Sequence, residues 1–275
     1  MKIDFSAASA FAFCPASYQE KYQQGWRSTS GKESLDFGGR MHDLLKGHFT
    51  PLIRGNEGTL GPQGQPLGDE FLENEALEMF ESYKAQYPIE SFEVLDVEKY
   101  FEVPIPETNH VLMGKWDGLI AEGSLRGVFE HKTEKRGGKN NLPKSWAARN
   151  QVGLYLWAAQ QVYRCRFDHI LLDVLTRRSP AGRVPCCFRR DILQRTEGNL
   201  QRCVDWIVDI ADRIEECEEK YGTNMLWPMN GDNCCRGGWD CEFYLSHVIG
   251  EVQVVQLEEL VRNKWYEKPR DYLHS

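Results

Sequence analysis

No stretch of this 275-residue chain approaches the roughly 20 consecutive apolar residues that a membrane-spanning helix needs. Nothing at its start resembles a signal peptide, with a basic leader and a short apolar core. An even cysteine set of the kind that builds an extracellular disulfide framework is missing too, since there are nine. These absences predict a reducing cytoplasm and no membrane partner, with thiols free or metal-bound. An excess of positive charge is also lacking: 41 acidic residues face 33 basic ones, for a net charge of −8. That argues against a protein that coats nucleic acid nonspecifically, because neutralising phosphates takes Lys and Arg. Basic residues cluster locally, however. Lys132, Lys135, Arg136, Lys139, Lys144 and Arg149 share one window with Glu134, and Arg177, Arg178, Arg183, Arg189 and Arg190 form a second group. Each group can line a groove on an otherwise acidic molecule. Internal repeats and low-complexity tracts are absent. With 41% hydrophobic and 12% aromatic residues, the chain can bury a substantial core as one large domain over 1–275, its centre at about 37–190.

What is present centres on Val111 to Thr133, VLMGKWDGLIAEGSLRGVFEHKT. Two strand-like runs flank Gly123-Ser124, a two-residue loop suited to a type II′ hairpin turn. That loop places Asp117 directly opposite Glu130, on one face of the hairpin with Cβ atoms about 5 Å apart. Lys132 points the same way, because strand side chains alternate. Two carboxylates held that close repel unless a proton or cation is shared. Oxygen ligands of this kind suit Mg²⁺ or Mn²⁺, which can activate water and neutralise charge on a phosphodiester. The competing reading is a surface hairpin with a cross-strand salt bridge.

Around this hairpin the chain reads as mixed helix and strand. Ser6 can cap a helix through Phe13, and Pro15 suits the first turn of another running to about Gln23. Phe37, Met41, Leu44, Leu45 and Phe49 recur at helical spacing, which puts His42 beside the buried stripe, where a lone histidine is ordinarily structural. Thr50 to Asp69 reads as a long loop. A helix is predicted over Phe71 to Tyr87, a strand over Phe92 to Ile105, and a helix from about Pro143 to Tyr163 on which Gln151 and Tyr155 share a face. Strands follow over Phe167 to Thr176 and Val184 to Phe188. A long helix over Asp191 to Tyr221 carries Leu193, Leu200, Val204, Ile207, Ile210 and Ile214 inward, before a cysteine cluster in Pro228 to His247 and an amphipathic segment from Val248.

In order, His42, Gly114-x-x-Asp117, Glu130-x-Lys132 and Gln151-x-x-x-Tyr155 resemble the PD-(D/E)XK nuclease superfamily, in particular its RecB-like branch, over about Ser6 to His247. That branch includes AddB-type recombination nucleases, CRISPR-adaptation exonucleases and phage exonucleases. The resemblance implies an α/β fold of the restriction-endonuclease type, with a central mixed sheet flanked by helices. It implies that Asp117, Glu130 and the backbone carbonyl of His131 bind the catalytic metal with His42 as a further ligand, and that Lys132 assists the attacking water. Gln151 and Tyr155 would position DNA, and Lys135 and Arg136 in the basic turn would hold its backbone. Glu98 falls where some relatives have another acidic residue. Several RecB-like nucleases also join their N- and C-terminal segments through a four-cysteine [4Fe-4S] cluster. Here Cys14, Cys235 and Cys241 fit three positions, Cys234 is an alternative to Cys235, and His247 stands where the fourth cysteine would be. An iron-sulfur cluster, zinc, and a degenerate site whose cysteines merely pack all remain open.

The expected function is metal-dependent DNA exonuclease activity on single- or double-stranded ends, in recombination, repair or phage DNA processing, with a recombination partner protein or a second copy of the chain alongside. The alternatives are a structure-specific endonuclease and a non-catalytic DNA-binding subunit that retains the fold.

Overall fold

The computed structural model describes residues 1–25, 27–28, 32–53, 64–135, 142–178, 185–231 and 266–267. In chain order these form strand β1 (Lys2–Ile3), helices α1 (Phe5–Phe13) and α2 (Pro15–Tyr18), a π-helical turn (Gln19–Gln23), β2 (Arg27–Ser28), α3 (Lys32–Phe49), α4 (Glu70–Gln86), β3 (Glu93–Pro104), β4 (Val111–Glu122), β5 (Leu125–Glu134), α5 (Leu142–Ala147), α6 (Asn150–Tyr163), β6 (His169–Thr176), β7 (Cys187–Leu193), α7 (Glu197–Tyr221) and β8 (Tyr266–Glu267). They divide into two units, a larger one of Glu33–Ile105 with Leu112–Val204 and a smaller one of Met1–Lys32, Pro106–Val111 and Asp205–Ser275.

The larger unit holds a mixed sheet in which β3 pairs with β4, β4 runs antiparallel to β5, β5 parallel to β6, and β6 antiparallel to β7. Antiparallel neighbours need only a tight turn, whereas the parallel pair β5–β6 requires a crossover, which α5 and α6 supply. The sixth strand, β1, meets the start of β4, where the Val111 amide donates to the Met1 carbonyl at 2.9 Å. Gly123 has φ of +60° and Ser124 keeps a negative φ, as a II′ turn demands. The ladder pairs Glu122 with Leu125 and continues to Gly118 with Phe129, the register that the Gly-Ser loop dictates.

One face of the sheet is covered by α3 and α4. Phe37, Met41, Leu44, Leu45 and Phe49 pack with Leu72, Ala76, Met79 and Tyr83 onto Val94, Ile120, Phe129 and Leu175. Each Val, Leu, Ile, Phe or Met side chain among them contributes about 1.5–3 kcal/mol on leaving water. The other face carries α6, whose Gly153 is a packing requirement: a Cβ there would lie 2.3 Å from Cys203 Sγ on α7.

Several boundaries differ from expectation. Asp4, not Ser6, caps α1, its Oδ1 accepting the Ala7 amide at 2.8 Å. The helix expected over Pro143 to Tyr163 is two helices that part before Asn150. Strand β7 runs to Leu193 because residues 187–193 are held in an antiparallel ladder with β6. Leu193 therefore belongs to the sheet, and α7 starts only after Thr196, whose hydroxyl accepts the Asn199 amide at 3.3 Å. The rest of the expected stripe, Leu200, Val204, Ile207, Ile210 and Ile214, is buried.

In the smaller unit the segment after α7 returns to the N-terminal helices. Tyr18 stacks on Trp227 at 5.8 Å and meets Phe11 edge-on at 5.6 Å. Gln19 donates to the Met225 carbonyl at 2.7 Å and accepts the Trp227 amide at 3.0 Å. Cys14 is buried, and its Sγ accepts the Asn230 amide at 3.4 Å. Cys234, Cys235, Cys241, His247 and the segment from Val248 lie outside the described residues, apart from β8, which pairs with β2. Among the described residues no helix is long and apolar enough to cross a membrane.

Candidate active site

The ladder between β4 and β5 ends at Gly118 and Phe129, while β5 continues alongside β6 to Glu134. At the fork Asp117 Oδ2 accepts the amide of His131 at 2.8 Å. A carboxylate thus satisfies a backbone donor at the point where strand pairing stops, which anchors it to the Glu130-His131-Lys132 segment. Gly114 has its own reason. A Cβ at that position would lie 2.6 Å from the Phe101 ring, and Phe101 stacks on Trp116 at 4.2 Å.

His42 reaches the site from α3, its Nδ1 lying 3.3 Å from Asp117 Oδ1 and 3.6 Å from Glu98 Oε1. Glu98 sits in β3 with φ of +52°, a left-handed conformation that costs a non-glycine residue about 1 kcal/mol or more. Ligand atoms of His42, Glu98 and Asp117 all fall within 4.8 Å of one another. On β5, Glu130 Oε1 pairs with Lys132 Nζ at 2.6 Å and accepts Gln151 Nε2 at 3.3 Å. Its other oxygen, Oε2, is buried and has no partner.

Electrostatics tie these groups together. Burial pushes the Glu130 carboxyl up, and the charge of Asp117 adds to this, raising its pKa to about 7. Burial also works against ionisation of Asp117, but His42 and Lys132 outweigh it and hold that carboxyl well below the usual range. His42 is desolvated as well, yet Asp117 and Glu98 raise it to about 10. Asp117 is thus ionised against His42 and Lys132, while Glu130 is left with a buried oxygen that has no hydrogen-bond partner, and a cation placed beside the two carboxyls would relieve the second. The converging donors fit a hard divalent cation: carboxylate oxygens from Asp117 and Glu98 with one imidazole, His42.

Lys132 is held from a second side, with Nζ 4.8 Å from the centre of the buried Trp146 ring, over which Arg149 also lies at 4.8 Å. The His131 imidazole turns to the opposite face, 3.3 Å from Asp173 Oδ2. His131, Asp173 and Arg190 are direct neighbours across three strands. Tyr83 donates to Asp173 at 2.7 Å, and Arg190 binds Glu90 at 2.6 Å. This row, buried at His131 and Asp173 and half-buried at Arg190, braces the segment that carries Glu130 and Lys132.

Tyr155 is half-buried, its ring edge-on to Phe101 at 5.8 Å and its carbonyl accepting the Trp116 indole at 3.2 Å. Lys135 pairs with Glu33 at 3.1 Å, and Arg136 lies outside the described residues. The second basic group is not a groove lining as a whole. Arg177 is buried against Glu75 and over the Phe37 ring at 4.1 Å, and Arg190 is consumed by Glu90 and Asp173. Charges taken out of water are retained only where they are paired. Lys115 and Trp146 escaped the sequence reading. Lys115 carried a usable signal, since it lies two residues before Asp117 on one strand, whereas nothing local marks Trp146.

A family model described as the PD-(D/E)XK nuclease superfamily matches residues 3–234. The crystal structure of a presumptive exonuclease from Eubacterium rectale is similar at 13% identity with a TM-score of 0.53, covering 86% of this chain and 87% of its own. An alkaline exonuclease from Laribacter hongkongensis matches at 11% identity and a TM-score of 0.32, over 80% of this chain and 92% of its own. At such identity the first likeness speaks for the fold, and the second carries no argument. No curated protein sequence matches significantly. With the family model spanning most of the chain over a mixed six-stranded sheet flanked by helices, this protein belongs to the PD-(D/E)XK nuclease superfamily.

Proposed function

We propose that this protein is a Mg²⁺- or Mn²⁺-dependent exonuclease that hydrolyses phosphodiesters at the ends of linear DNA, in recombination and repair or in the processing of phage DNA. The observation that carries this reading is the meeting of Asp117, Glu130 and Lys132 at the fork of β4 and β5, with Glu130 Oε2 buried and unpartnered. Asp117, Glu130, Glu98, His42 and the His131 carbonyl are the groups that would hold the cation. When bound, a divalent ion supplies an activated water and neutralises charge on the phosphate.

The remaining steps fall to the chain itself. The Lys132 ammonium, fixed between Glu130 and the Trp146 face, orients the attacking water and offsets the charge that develops on phosphate. Gln151 holds Glu130 Oε1 from α6, so that a DNA contact made by Gln151 acts on that carboxylate, and Tyr155 positions DNA one helical turn further along. Lys135 and Arg136 would contact the backbone. Because these contacts address phosphates, they give little sequence preference.

The chain ends add a second element. Cys14 is buried where the segment after α7 returns at Asn230, which supports a metal cluster completed by Cys235, Cys241 and His247, as iron-sulfur or zinc. A cytoplasmic location, and assembly with a recombination partner or a second copy, belong to the same reading.

The decisive assay digests end-labelled linear single- and double-stranded DNA, and closed circular DNA, with Mg²⁺, Mn²⁺ or chelator. Metal-dependent loss of label from linear DNA with circles intact is expected. Cleavage of circles would make it an endonuclease, and no cleavage at all would leave a non-catalytic DNA-binding subunit. Lys132→Ala should lower cleavage at least a hundredfold while DNA binding persists.

A further inference from the structure

Beside the site, β3 presents an aromatic ring to solvent. Tyr100 is 78% exposed, two residues after Glu98. Its direction is set by its neighbour, since Phe101 turns inward to stack on Trp116 and alternation sends Tyr100 outward. Lys115 of β4 lies with Nζ 5.5 Å from the centre of the Tyr100 ring and pairs with Glu98. Glu98 in turn meets His42, and His42 meets Asp117. Contacts therefore lead without a break from the candidate metal ligands to an exposed aromatic face with a cation over it.

The chemistry of that pair is selective between forms of DNA. A base in a duplex already has both faces stacked, whereas an unpaired base has faces to offer an aromatic side chain. A lysine ammonium is a mobile point charge that can exchange a carboxylate for a phosphate oxygen. We propose that Tyr100 and Lys115 form a ledge that captures a single-stranded DNA terminus, Tyr100 stacking on an unpaired base and Lys115 holding the adjoining phosphate. The ledge rests on the nuclease reading of the neighbouring site and assigns that site a substrate form: an end that is single-stranded or has been peeled open.

The test is binding in chelator, so that cleavage does not intervene. Fluorescence anisotropy would be measured with a labelled oligothymidylate of about 12 nucleotides and a blunt duplex of the same length. Tyr100→Ala should weaken single-strand affinity about tenfold relative to duplex affinity, and Tyr100→Trp should restore the preference. Lys115→Gln should flatten the salt dependence of single-strand binding by roughly 0.7 in slope, one phosphate. The exposure of Tyr100 makes these variants compatible with folding, which circular dichroism checks. Tyr100→Ala binding both DNAs like wild type, or losing both equally, overturns the ledge. If it does so while the wild type still degrades DNA with Mg²⁺ or Mn²⁺, the nuclease reading stands without the ledge. A Tyr100-dependent preference in a protein that cuts nothing keeps the ledge and removes the nuclease reading.

Discussion

Glu130 has one carboxylate oxygen engaged by Lys132 and Gln151 and the other enclosed with no partner. An enclosed oxygen without a donor costs free energy until a cation reaches it. Titration calorimetry with Mn²⁺ in the absence of DNA should show binding to the wild type and a loss of about tenfold or more in Glu130→Gln; equal binding by the variant would remove Glu130 from the ligand set. A residue away from the site shows the same electrostatics acting on stability. Arg40 donates to both oxygens of Glu73, at 2.7–3.0 Å, and holds its carboxyl below the ordinary range. A carboxyl whose folded pKa is depressed stabilises the fold above its unfolded value, near 4.3, and loses that contribution as pH falls through the lower folded value. Glu73→Gln should therefore lower stability by about 1–3 kcal/mol at neutral pH and match the wild type in strongly acid urea melts. A variant equally destabilised at both pH values would show that the effect is packing rather than charge.

The hairpin is the element that makes the site. Alternation on β4 and β5 and the Gly-Ser turn were legible because both are local: a two-residue loop fixes register. The fork beyond Gly118 was not, because it depends on Asp117 taking the His131 amide and on β6 holding β5 from the other side. Gly114 belongs to the same element. Adding a methyl there drives it into the Phe101 ring, so Gly114→Ala should cost about 1–3 kcal/mol, read from urea midpoints, and an unchanged midpoint would show that β4 adjusts freely. Helical periodicity similarly located α3 and α4, but said nothing of the buried Arg177–Glu75 pair, whose partners lie on α4 and just past β6. Strand alternation likewise cannot tell that an arginine in β7 will be drawn inward by Asp173 and Glu90.

For the whole molecule, net charge and local charge pull in opposite directions. A chain at −8 repels DNA on average, so on the proposed reading a few phosphate contacts from the local basic group must supply the affinity. Each contact on duplex DNA contributes about −0.9 to the slope of log affinity against log salt. The measured slope should correspond to a small number of contacts, and salt-independent binding would contradict phosphate recognition. The approach of the chain after α7 to Cys14 in the smaller unit makes a second global prediction. Iron or zinc should co-purify anaerobically, and Cys14→Ser should lose it; metal-free protein would mean that the cysteines only pack.

Turn type, strand alternation and helical spacing were enough to specify the hairpin and the two helices over its sheet, because each depends on neighbours a few residues away, whereas His42 joined Asp117, Glu130 and Lys132 only through the family resemblance. What only the tertiary structure decided is which distant charges meet: Lys115 with Glu98, Trp146 with Lys132, Asp173 with His131 and Arg190. Removal from water makes an unpaired charge intolerable, and the partner that relieves it is chosen by the packing of remote segments, which no local pattern records.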